Sequence, residues 1–165
     1  MEAATEFVLM MLQEGQSQWP SVCSGLEPLE PRFASFRDDI LISYEFMLAC
    51  TAVQMHALPN LLKSEQARRI RSYILECLTN DKFGSYGPDA IAGYDAMWND
   101  YSERAHPPYN GVASLLFTKL GLSTGVTIGD TTYKDPVLLL ALGGTIVRFA
   151  GGWWKNYVQQ HEIVP

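Results

Sequence analysis

The sequence predicts a mainly α-helical bundle of about six helices, a single domain over residues 1–165 with room for one short β-hairpin near residues 126–133. Three observations carry this. Apolar residues recur at intervals of three and four along most of the chain. The candidate helix boundaries coincide with capping residues, prolines or glycines. A chain of 165 residues that is 47% hydrophobic and 18% charged has ordinary globular composition, and at this length folding buries roughly 70% of the unfolded surface.

Phe7, Met10 and Met11 share a helical face within residues 3–14, and Gly15 reads as the stop. Residues 16–33 hold three prolines and a glycine without a period, which predicts an ordered surface connection anchored by Trp19, Leu26 and Leu29. A loop of that length in a small domain is a functional candidate by default. Residues 34–57 are almost continuously apolar from Ile40 and precede Pro59, the pattern of a long central helix. Ser64 reads as the N-cap of a helix to about Thr79, whose inner face is Ala67, Ile70, Ile74, Cys77 and Leu78. After a turn, Pro88 suits the first turn of a helix carrying Ile91, Tyr94, Trp98 and Tyr101 inward, with Asp95, Asn99, Asp100 and Glu103 outward. A short helix follows and ends at Gly121, Gly129-Asp130 suits a two-residue hairpin turn, and Asp135 with Pro136 opens a last helix over 136–160.

Composition narrows the function. A formal charge of −6 offers no field for nucleic acid or an anionic membrane, both of which are held by clustered Lys and Arg. Cys23, Cys50 and Cys77 are too few and too widely spaced for a metal or disulfide framework. The first residues carry acids and no base ahead of their apolar stretch, unlike a secretory leader, so a cytoplasmic protein is expected. No P-loop or G-x-G-x-x-G occurs, and no cofactor is expected.

The stretch 137–154, "VLLLALGGTIVRFAGGWW", is apolar enough to raise the question of a membrane span. Arg148 at its centre and four glycines argue against one. On a helical wheel Ala141, Gly144, Thr145, Gly152 and Lys155 lie near Arg148, opposite Leu142, Ile146, Phe149 and Trp153. The central helix has a matching stripe of Asp38, Glu45, Ala49, Ala52 and His56. Antiparallel packing through these stripes would pair Glu45 with Arg148 and Asp38 with Lys155, since each set is seven residues, roughly 10.5 Å, apart.

Other motifs are weaker. Glu103-x-x-His106 has the spacing of a carboxylate-bridged di-metal bundle but occurs once, so no metal site is expected. Cys23 is the one thiol placed in a loop, where a nucleophile would need a histidine partner. Lys63, Arg68, Arg69 and Arg71 gather positive charge, with Glu65 placed to pair within the helix.

The reading is therefore a non-catalytic protein-interaction or regulatory module, binding a protein partner or a second copy of itself through aromatic anchors such as Trp19, Trp98 and Tyr101. The alternative is a small-molecule binding protein or enzyme with a pocket between the central helix (34–57) and the last (136–160). Glu45, His56 and Arg148 would be its polar groups and Trp153 its rim.

Overall fold

The computed structural model describes residues 2–80, 83–122, 125–128 and 131–160, with side chains for residues 10, 13–80, 83–122 and 135–152. Among these residues the chain forms seven helices: α1 (Glu2–Leu26), α2 (Phe33–Phe36), α3 (Ile40–Leu61), α4 (Ser64–Thr79), α5 (Tyr86–Glu103), α6 (Pro108–Lys119) and α7 (Pro136–Gln160). Between α6 and α7, β1 (Gly125–Ile128) pairs antiparallel with β2 (Thr131–Lys134), Val126 opposite Tyr133 and Thr127 opposite Thr132. The expected turn at Gly129-Asp130 lies outside the described residues.

The first quarter of the chain corrects the sequence reading. Helix α1 does not stop at Gly15 but continues through Pro20 to Leu26, so most of the expected 16–33 loop is helix. Gly15 marks a close approach instead of an end, because a Cβ there would strike the Met47 side chain on α3. Trp19, Val22, Cys23 and Leu26 then repeat at three and four and are all buried. That burial outweighs the single hydrogen bond that Pro20 removes. Trp19 is therefore a core residue and not a surface anchor: its indole N–H donates to Phe36 O at 2.8 Å, and its ring lies 5.1 Å from Phe46.

The central helix also starts later than expected. Asp39 caps it, its Oδ1 accepting from the N–H groups of Leu41 (2.9 Å) and Ile42 (3.1 Å), and the residues before it form the separate single turn α2. Pro59 sits inside α3, which runs on to Leu61 because Leu58 is locked in the core. Helix α4 opens one residue earlier than predicted, with Lys63 at the cap position and Gln66 Oε1 accepting from its N–H. At the other ends the capping chemistry is as expected. Gly121, at φ +66°, closes α6, Leu122 N–H returning to Phe117 O at 3.1 Å. Asp135 Oδ1 caps α7 at Val137 and Leu138.

Helix α3 is the axis of the molecule. It is apolar all round, buried continuously from Ser43 to Met55, and touches α1, α4, α5, α6 and α7, the environment such a helix requires. Phe46 joins three helices at one point, between Trp19 of α1 and, edge-on at 5.6 Å, Phe149 of α7. Among the described helices α3 is the one long and apolar enough to cross a membrane, and 72% of that apolar window is buried inside the protein. The remaining helices close on each other through glycines. Gly111 of α6 faces the Met97 carbonyl of α5, and Gly143 of α7 lies against Asn110 and Ala113 of α6.

Candidate functional site

Two polar clusters and one groove carry the chemistry of the described surface and core. The first cluster surrounds Glu45, which α3 places in the core at 4% exposure. A buried carboxylate requires donors, and three converge: the hydroxyls of Tyr86 and Tyr94 (2.6 Å) from α5, and Lys119 Nζ (2.6 Å) from the last turn of α6. The ammonium also lies 5.3 and 5.1 Å from the two tyrosine ring centres, within cation–π reach. Burial first, then the bond to Glu45, pushes the Tyr86 phenol up to about 12, and the same causes hold Tyr94 well above its ordinary value. Both phenols therefore stay protonated and donating.

The second cluster is three helical turns along α3. His56 Nε2 meets Asp95 Oδ1 at 2.8 Å, and the other Asp95 oxygen pairs with Arg71 of α4. The imidazole stacks on Trp98 with ring centres 4.6 Å apart and planes 7° from parallel. Asp95 is thus turned into the α3–α4–α5 junction, not outward as its place on the wheel suggested. Arg71 leaves the basic group of α4 to join it, while Arg68 and Glu65 remain an exposed pair at 4.0 Å.

The anticipated pairing of Glu45 with Arg148 is not formed. Glu45 is occupied as above, and Arg148 lies on the far side of α7, facing α1. Asp38, exposed in the turn before α3, is not on the helical stripe at all; Lys155 and Trp153 lie outside the described side chains. Of the four predicted site residues, Glu45 and His56 share a face of α3 but serve separate clusters, and Arg148 stands apart. The space expected between α3 and α7 is taken up by packing, with Phe46 on Phe149 and Gln54 Nε2 donating to Ala150 O at 3.3 Å.

Cys23 is likewise not a loop nucleophile. It sits within α1 at 0% exposure, and burial pushes its thiol up to about 12. Glu103 and His106 are both exposed. The chain turns between them through Ala105 at φ +55°, which ends the helical spacing that a ligand pair would need.

Among the described residues a groove of about 340 Å³ opens between the C-terminal half of α1 and the middle of α7. Gly25, Leu26 and Leu29 form one wall, and Leu140, Gly144 and Arg148 the other. Leu29 and Leu140 are 44% and 60% exposed. A Cβ added at Gly25 or Gly144 would meet nothing within 4 Å. Arg148 makes no ion pair among the described residues, its guanidinium lying 6.0 Å from the Phe149 ring. Sequence reasoning found the α7 wall through its Gly and Arg stripe but missed α1, whose contribution was read as a loop.

Fold and site together define a mainly α-helical bundle with buried charges held in internal clusters and, among the described residues, a partly apolar groove between its first and last helices. The chain matches no family model, no curated protein and no solved structure.

Proposed function

We propose that this chain is a non-catalytic interaction module that docks an amphipathic helix along the α1–α7 groove. The observation that supports it is the groove itself: exposed leucines on both walls, bare backbone at Gly25 and Gly144, and at the edge the Arg148 cation, which has no ion-pair partner among the described residues. Glycine in an exposed helix costs about 1 kcal/mol relative to alanine. At Gly144 no internal contact uses the missing side chain. Close approach by an incoming backbone is a use that would offset this cost. A helix laid in such a groove presents apolar anchors at three- and four-residue spacing, and Arg148 selects one that also carries a carboxylate. The internal clusters fit a scaffold role, since Glu45 and Asp95 already bind donors from two or more helices each.

The test is site-specific photo-cross-linking in the native cell, with Leu140→p-benzoylphenylalanine as the probe. An adduct at this position that disappears when Gly144→Glu is added supports the groove as a docking surface. Adduct formation no greater than that of a probe at exposed Ala96 on α5, or an adduct indifferent to Gly144→Glu, overturns it.

A further inference from the structure

We infer that the helix docked against α7 is α7 of a second copy of this chain, packed antiparallel about a two-fold axis; this rests on the docking surface proposed above and names its occupant. Val137, Leu140, Gly144, Val147 and Gly151 follow one another at spacings of three, four, three and four. At 100° per residue they fall within about 80° of one another and run about 21 Å along the helix. This is the a/d spacing of a two-stranded coiled-coil seam over two heptads, and it is exposed: Val137 and Leu140 each 60%, Val147 39%, with Gly144 and Gly151 open to solvent. The helix has its own core face on the opposite side, where Leu138, Leu142, Ile146 and Phe149 are buried. A helix with one apolar face in the bundle and a second at heptad spacing outside it has more apolar surface than the monomer uses.

The seam fits itself. A two-fold axis level with residue 142 sets each Leu140 against the partner's bare Gly144, and each Val137 against the partner's Val147. The knob and the hole are four residues apart on the same helix, so one rotation fills both holes, as an isologous interface requires. Charge agrees with the same operation. It brings Arg148 level with position 136 of the other copy, beside the Asp135 carboxylate at the start of that helix, and Arg148 has no ion-pair partner among the described residues of its own chain. No charged side chain lies on the seam itself. A parallel arrangement would instead set Leu140 against Leu140 and leave the facing Gly144 positions empty, with the two Arg148 side chains on like levels.

The experiment is sedimentation of the purified full chain over a concentration series. The expected mass rises from 18.4 kDa towards twice that value, and Leu140→Lys and Gly144→Glu each weaken association at least ten-fold while circular dichroism shows the helices intact. Arrangement is read by mixing Leu140→Cys with Gly144→Cys chains under mild oxidation. Cross-linked pairs containing one of each are expected, and like-with-like pairs would overturn the antiparallel register. A mass fixed at 18.4 kDa at every concentration overturns self-association, as does a dimer that both seam variants leave unchanged. If the Leu140 photo-adduct then holds a different protein, the docking surface survives and the second copy does not; if there is no adduct at all, both readings fall.

Discussion

At the scale of single residues, the structure turns on what a buried group is bonded to. Glu45 accepts from two phenols and an ammonium, so Glu45→Ala strands the buried Tyr94 hydroxyl and the Lys119 charge together. The expected cost is about 3 kcal/mol, and Lys119→Met, which leaves the more deeply buried carboxylate without its cation, is expected to cost about as much; urea unfolding at constant slope measures both. The same cluster gives a pH signature. Because the folded Tyr86 pKa is raised from 10.0 to about 12, its hydroxyl contribution is complete below pH 10 and is lost as pH rises towards 12. Stability of the native chain should therefore fall across that window, and Tyr86→Phe, weaker at pH 8, should fall less steeply. An ultraviolet titration of the phenols should also lose one late-ionising group in that variant. The type and burial of Glu45 and His56 were legible from their place on an apolar helix. Their partners were not, because Tyr86, Tyr94, Lys119 and Asp95 lie 39 to 74 positions away in sequence.

At the scale of elements, glycine has opposite meanings at different places. Gly111 brings α6 onto the Met97 carbonyl, which cannot move aside, whereas Gly144 faces open space. Gly111→Ala should then destabilise by about 2 kcal/mol or more, while Gly144→Glu, compared with the native chain at a concentration too low for self-association, should raise the melting temperature by roughly 2 to 4 °C. The latter follows from about 1 kcal/mol of helix propensity together with an i,i+4 pair to Arg148. A Gly144→Glu chain that is more stable yet unable to dock would separate folding from binding. Ala105 is a third case: it holds a left-handed conformation after α5 that favours glycine, so Ala105→Gly should stabilise by about 1 kcal/mol in thermal unfolding. Local capping signals located most helix ends within a few residues. They failed at Gly15 and Pro59, where tertiary burial of Trp19, Val22 and Leu58 carries a helix past a residue that would stop it in isolation.

At the scale of the whole molecule, α3 organises everything else, and the thiols report on it. Cys23 and Cys50 are fully buried on α1 and α3, and burial raises both thiols. Their labelling by a thiol reagent at pH 8 should proceed only through global opening and slow in step with added stability, while half-buried Cys77 reacts faster. A Cys23 rate well above that of Cys50 would show that α1 opens independently of the core.

The sequence by itself determined the fold class, most of the helix-forming segments outside residues 16–26, the cap at Asp135 and the turn at Gly121, because periodicity and capping are interactions among residues a few positions apart. It also singled out Glu45, His56 and Arg148 as polar groups set among apolar ones. Only the tertiary structure decided which helices those groups face: Glu45 and His56 towards α5, Arg148 towards α1. It likewise placed the open groove between α1 and α7. A helical wheel gives an angle about one axis and says nothing of which neighbour stands there. Crossing geometry comes from the summed fit of many side chains, and no single stripe carries that sum.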